Sequence, residues 1–272
     1  MKLLYFLFFS LTVSADYTYY PTEYQSAFQK KSFKDEQLKN QLFLLLDSVH
    51  VYRRGKNDLI SPHCTDQGKC YEHKSIGYRG ARKVLFGKIH LQKDSRGYFL
   101  TDVYCRKKIT INATDLGPNI IPSNGVINCE HTWPQSKFSK NFDKGLQKSD
   151  LHHLYPSDPA ANSTRGNSEF AEVDGEQLNN CEASYMGSEK WRGVYFEPPD
   201  EHKGNVARAL FYFSVRYKLP ISSLQEGHLR KWHVLDPVDY EEEKRNELIQ
   251  KVQGNRNPFI DYPNLVDDIA DF

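Results

Sequence analysis

The sequence has few long apolar runs. The one extended stretch, Leu3 to Leu11, follows Lys2 and leads into Val13-Ser14-Ala15. It is shorter than the roughly 20 apolar residues that a membrane-spanning helix needs. A positive start, a short apolar core and small residues at the end are the parts of a secretory signal. Residues 1–15 are therefore expected to be removed after Ala15, a buried N-terminal helix being the alternative. An excess of charge of one sign is also missing: 36 Lys and Arg stand against 35 Asp and Glu, for a net charge of +1. That excludes a uniformly basic nucleic-acid coat protein, so any nucleic-acid binding must use a local basic face. Low-complexity tracts and internal repeats are absent, and the chain reads as a single α+β domain over residues 16–272. Cysteine is sparse, with Cys64, Cys70, Cys105, Cys129 and Cys181. The paired spacing of a zinc site is lacking, which weakens a reading of Cys64, Cys70 and His63 or His73 as zinc ligands. Export favours disulfides. Cys64 and Cys70 are close enough to close a small loop, and the odd count leaves at least one cysteine outside any intramolecular pair.

What is present divides into scaffold and site. Asp16 to Lys31 is polar and tyrosine-rich and is expected to wrap loosely on the surface. A helix is expected from Ser32 and Asp35, with Leu38, Leu42, Leu45 and Val49 on its buried face. A second runs from Tyr78 to His90, with Arg79, Arg82 and Lys83 outward as a solvated face. Gly97 to Cys105 has strand composition. Strands are also expected at Val126–Asn128 and at Asp150–Leu154, then a helix within Pro159–Glu172. Beyond Trp191 the chain reads as scaffolding. A helix capped by Asp200 runs to Tyr217, a last helix opens at Asp236-Pro237, and an acidic tail with Asp267, Asp268 and Asp271 is expected to be poorly ordered.

The chemistry gathers between these scaffolds. Asn128-Cys129-Glu130-His131-Thr132-Trp133-Pro134-Gln135-Ser136 is followed by Asp150-Leu151-His152-His153-Leu154-Tyr155-Pro156 and by Asn162-Ser163-Thr164-Arg165-Gly166-Asn167. Glu130 suits a hard cation and His131 suits proton transfer near neutral pH. Asn162 can add a neutral oxygen ligand, and Arg165 can meet a phosphate or pair with a nearby acid. A Cys-His nucleophile using Cys129 is disfavoured, because its neighbours already suit metal chemistry. Trp133 is expected to pack beneath the loop.

Glu-His-x-x-Pro-x-Ser, Asp-Leu-His-x-Leu-x-Pro and Asn-x-x-Arg-x-Asn together resemble the bacterial endonuclease I family. The likeness continues in Gly204-Asn205-Val206-Ala207-Arg208 with Phe211-Tyr212, and in Gln253-Gly254-Asn255-Arg256-Asn257-Pro258-Phe259. It covers most of the chain beyond Tyr78. The resemblance implies a ββα-metal (His-Me finger) core within scaffold helices, and a periplasmic or secreted, sequence-nonspecific nuclease. It makes His131 the general base and Glu130 and Asn162 the ligands of one Mg²⁺, with Mn²⁺ or Ca²⁺ as alternatives. The products would carry 5′-phosphates. His152 alone matches the family's histidine, as a supporting residue, and His153 reads as packing. Some family members carry a phosphate-steadying arginine between the first two motifs. Here that interval holds lysines only, so the role falls to Lys137, Arg165 or Arg192. DNA, and RNA as well, are the expected substrates of a monomer that has no membrane contact after signal removal. The alternative is a catalytically silent nucleic-acid-binding protein with the same fold.

Overall fold

The computed structural model describes residues 17–190 and 192–272, and the expected signal segment lies outside the described residues. None of the helices among them is long and apolar enough to cross a membrane. Helices α1 (Thr22–Gln29) and α2 (Asp35–Asp47) come first. Asp35 and Glu36 sit in the first turn of α2, where the helix dipole favours acids, and Leu38, Leu42 and Leu45 are buried at helical spacing. Val49, expected on the same helix face, instead opens β1 (Val49–Val51). Strands β2 (Leu59–Ser61) and β3 (Cys70–Tyr71) flank β1 on either side, and the Cys64–Cys70 disulfide closes the loop between them.

Helix α3 (Tyr78–Val84) widens into a π turn at Leu85–Ile89. A three-stranded meander follows: β4 (Gln92–Asp94), β5 (Gly97–Thr101) and β6 (Lys108–Thr110). β5 stops short of Cys105 because the Asp102 carboxylate accepts from the backbone N–H groups of Tyr104, Cys105 and Lys107 and turns the chain. Next come β7 (Asn128–His131), α4 (Lys144–Ser149), β8 (Leu154–Ser157) and α5 (Pro159–Arg165). β7 and β8 form an antiparallel ribbon, with Asn128 opposite Ser157 and His131 opposite Leu154. Strands β9 (Glu169–Phe170), β10 (Asp174–Leu178), β11 (Cys181–Glu189) and β12 (Arg192–Glu197) make a sheet in the order β10-β11-β12-β9. A second disulfide, Cys105–Cys181, ties β11 to the loop after β5 and leaves Cys129 free and buried.

The helices α6 (Asp200–Tyr217), α7 (Ser223–Leu235), α8 (Tyr240–Gln253) and α9 (Pro258–Asp261) complete the chain. α6 is buried almost all round, from His202 through Tyr217, which marks it as the central helix. Phe211, Phe213 and Tyr217 serve the larger of two apolar cores. A smaller core gathers Ala81, Leu85, Phe86, Ile127, Cys129 and Leu154. The ribbon contributes Cys129 and Leu154 to the smaller core while Trp133, just beyond β7, joins the larger, so it lies at the seam between them. Gly204 lets α6 approach the end of α7: a Cβ there would collide with the Asp236 carbonyl and the Arg208 guanidinium.

Four local expectations are corrected. Asp150–Leu154 is not a strand. Asp150 caps a 3₁₀ turn at Leu151–His153 through the His152 N–H, and the strand begins at Leu154. The tyrosine-rich start is anchored rather than loose, with Tyr19 1 % and Tyr20 0 % exposed. The acidic tail is ordered: Asp268 pairs with Lys31 and Lys34, and Phe272 stacks on Phe211 at 4.3 Å. The last long helix opens at Tyr240, capped by Asp239, after α7 has ended at Leu235.

Candidate active site

The ribbon sets Glu130 and His131 side by side at the end of β7, where successive side chains leave a strand in opposite directions. Glu130 is 2 % exposed. Its Oε1 accepts from the Tyr104 hydroxyl at 2.7 Å and lies 3.1 Å from Arg165 Nη1. Burying a carboxylate is costly unless it is paired and hydrogen-bonded, and these two contacts meet both conditions. They also fall on one oxygen.

His131 faces a different set of neighbours. Its ring lies 5.5 Å from that of Tyr78, 5.3 Å from His153 and 6.2 Å from Phe138. Nε2 is 3.1 Å from the Lys148 carbonyl oxygen. A carbonyl only accepts, so Nε2 carries the proton and Nδ1 keeps its lone pair. Gln135 Nε2 stands 3.4 Å from Nδ1. Burial, and next the proximity of His153, push the His131 pKa down to about 3. That shift favours the neutral imidazole.

Asn162 lies mid-way along α5, half-buried, on a helix that packs against β7. Asp158 caps that helix through the N–H groups of Ala160 and Ala161, and Pro159 occupies its first position. Arg165 ends α5 at 2 % exposure. Beyond Glu130, its guanidinium donates to the backbone oxygens of His131 at 3.1 Å and Thr132 at 2.6 Å, and it sits 4.5 Å from the Phe170 ring centre. Of the two readings offered for Arg165, the geometry is that of pairing with a nearby acid. Lys137 is partly exposed and joins Glu169 at 3.1 Å. Arg192 is exposed at the start of β12, lining a cavity with Glu172, Glu189 and Lys231 rather than with the ribbon residues.

The second motif supports from below. Asp150 Oδ2 accepts from the hydroxyls of Tyr212 and Tyr217, both at 2.8 Å, while Oδ1 accepts from Gln253 Nε2 at 2.8 Å. His152 Nε2 meets the Asn255 carbonyl at 3.3 Å, and His153 Nε2 meets the Gln147 carbonyl at 2.9 Å. The separate sequence motifs thus meet in one buried network beneath the turn that feeds β8. Trp133 stacks on Phe213 at 5.2 Å, beneath the loop as expected. Burial raises the Cys129 thiol to about 12, which keeps it protonated. Sequence reasoning missed Tyr104 and the Lys148 carbonyl, since no spacing links them to Glu130 or His131, and gave Gln135, inside the first motif, no role.

Known proteins are similar to this chain over much of its length. The Endonuclease I family model matches residues 36–264. An extracellular ribonuclease of Bacillus subtilis is 39% identical over 163 residues, covering 53% of this chain and 54% of that protein. A periplasmic deoxyribonuclease of Aeromonas hydrophila is 28% identical over 223 residues, covering 80% and 88%. Endonuclease-1 of Buchnera aphidicola is 31% identical over 238 residues, covering 75% and 92%. The chain spans about half the length of the Bacillus relatives that it matches. With the family match running through nearly the whole described chain, the protein belongs to the endonuclease I family.

Proposed function

We propose that the protein is an exported, metal-dependent endonuclease that hydrolyses phosphodiester bonds of DNA and RNA without sequence preference. The relatives named above include an extracellular ribonuclease and a periplasmic deoxyribonuclease, which supports the export and the two kinds of substrate. Ribbon β7–β8 and helix α5 would be its ββα-metal core, and the protein would act as a monomer.

The observation that carries the proposal is the neutral His131 ring, held through Nε2 by the Lys148 carbonyl, beside a Glu130 carboxylate fixed through Oε1. His131 Nδ1 would take the proton from the attacking water. Tyr104 and Arg165 position Glu130 and leave its other oxygen for a cation. Glu130 and Asn162 offer one carboxylate and one amide oxygen, hard donors that suit Mg²⁺, with Mn²⁺ or Ca²⁺ as substitutes. Bound there, the ion supplies positive charge against the charge that builds on the phosphate oxygens. With in-line attack and a 3′-oxygen leaving group, the products carry 5′-phosphates. Lys137, Arg165 and Arg192 were the basic residues expected to meet phosphate. Arg165 already serves Glu130, so a substrate contact falls more readily to the partly exposed Lys137.

The test is to incubate purified protein with plasmid DNA and with RNA, with and without EDTA. Cleavage of both that chelation stops, in protein that stays folded, supports the reading. Undiminished cleavage in excess EDTA refutes the metal assignment, and no cleavage of either substrate with Mg²⁺ supplied refutes the activity.

A further inference from the structure

A cavity of about 730 Å³ opens between the β4–β6 meander, α6 and α8, away from His131. Its floor is built around Tyr155 on β8. The Arg245 guanidinium lies 4.3 Å from the centre of that ring, His202 4.7 Å and His90 5.9 Å. Three nitrogen-bearing groups therefore surround a single side chain.

Four of their polar atoms lack a partner. His90 Nε2, His202 Nε2 and Arg245 Nε and Nη1 are all buried without a hydrogen-bond partner. Arg245 is 5 % exposed and uses only Nη2, which donates to the backbone oxygens of Leu151 and Leu154. A buried cation without a counter-charge is expensive to maintain.

The acids that line the cavity are already engaged. Glu242 is held bidentately by Arg208, and Glu201 pairs with Arg106. Asp102 accepts from the backbone N–H groups of its own turn, and Asp239 caps α8. Glu241 faces Lys244 at 3.8 Å. Among the described residues, Arg245, Lys88 and Lys93 line the cavity without an ion-pair partner, while Asp102 and Asp239, held by backbone N–H groups, offset part of that charge. Burial keeps both histidines neutral, with His202 down at about 3 and His90 well below its ordinary value. Each can present an N–H to an anion, His202 from a ring that also bonds Asn205.

We propose that this cavity binds a phosphate-type oxyanion, received by Arg245 with His90 and His202 and approached past Lys88 and Lys93. The cavity is large enough for the anion to arrive either free or as the 5′-phosphate of a nucleotide. Occupancy would also brace β8, because Arg245 holds the Leu154 carbonyl and Tyr155 pairs with Glu130 across the ribbon.

The test uses the full protein in EDTA, so that binding is read independently of cleavage. Inorganic phosphate, and separately a nucleoside 5′-monophosphate, are titrated by calorimetry and by melting temperature at matched ionic strength. The expected result is saturable binding at one site with a matching rise in melting temperature. It should persist in His131→Ala and weaken at least tenfold in His202→Phe and His90→Phe. Arg245→Met should abolish it, and the two histidine variants keep the test decisive if that protein does not fold. Tighter binding of the nucleotide, or equal affinity for both, upholds the site and names its source. No saturable binding of either ligand, binding equal to the parent in His90→Phe and His202→Phe, or binding lost in His131→Ala would overturn the proposal.

Discussion

Replacing Arg165 with methionine tests how the Glu130 charge is held. Both side chains are 2 % exposed and lie 3.1 Å apart. Removing one member of such a pair costs about 3–5 kcal/mol, because the other charge remains buried and alone. Methionine keeps most of the apolar stem, so little of the loss comes from a cavity. For a domain of this size, a melting temperature falls by about 2–4 °C per kcal/mol, so a drop on the order of 6–20 °C is expected in EDTA. Adding Mg²⁺ should narrow that gap. A cation bound at Glu130 replaces the missing guanidinium charge, so the variant should bind Mg²⁺ more tightly than the parent. A tenfold tighter constant returns about 1.4 kcal/mol at saturating metal. Unfolding followed by circular dichroism, with and without Mg²⁺, measures both quantities. A loss below about 1 kcal/mol, the size of an ordinary substitution, would refute the reasoning. So would a Mg²⁺-induced stabilisation no larger in the variant than in the parent.

Acid should destabilise the fold early. Burial depresses His50 to about 4 and His202 to about 3. These groups cost nothing above pH ~6.5, where folded and unfolded imidazoles are alike neutral. Below it the unfolded chain takes protons that the folded chain refuses, at about 2 kcal/mol for each histidine by pH ~5. Urea midpoints should fall between pH ~6.5 and ~4, and midpoints flat across that window would contradict the burial. The two disulfides should differ in weight. Cys105–Cys181 closes a loop with a separation of 76 residues and Cys64–Cys70 one of 6. Chain entropy gives about 4.5 and about 2.4 kcal/mol respectively, so Cys105→Ser with Cys181→Ser should lower stability more than the other double replacement. Thiol titration of unreduced protein should find one reactive cysteine, Cys129, and only after denaturation.

The candidate site is legible in the sequence where its chemistry is written in adjacent residues, and is not where the fold supplies the partner. Glu130, His131 and Asn162 were legible from residue type and from the motif resemblance. Tyr104, which holds Glu130 from 26 positions away, reads in sequence as one more aromatic of a strand. The Lys148 backbone oxygen that fixes the His131 tautomer has no side-chain signature at all. Arg165 could be read toward a phosphate or toward an acid, because only burial separates the two. The turn at Leu151–His153 differs from the expected strand because Asp150 caps it through the His152 N–H. By composition the tyrosine-rich start is expected to wrap loosely and the acidic tail to be poorly ordered. They fold because long-range partners, Asp261 for Tyr20 and Lys31 with Lys34 for Asp268, lie more than 230 residues away in sequence.

The most direct measurement of the proposed chemistry is single-turnover cleavage of plasmid DNA by His131→Ala, read beside DNA binding and melting temperature. If His131 Nδ1 accepts the proton of the attacking water, turnover should fall by ~10²–10⁴-fold, the usual contribution of general-base catalysis. DNA affinity should change little, and added imidazole should restore part of the lost rate. Near-parental cleavage by His131→Ala would contradict the mechanism. So would a loss that follows a lowered melting temperature and does not respond to imidazole.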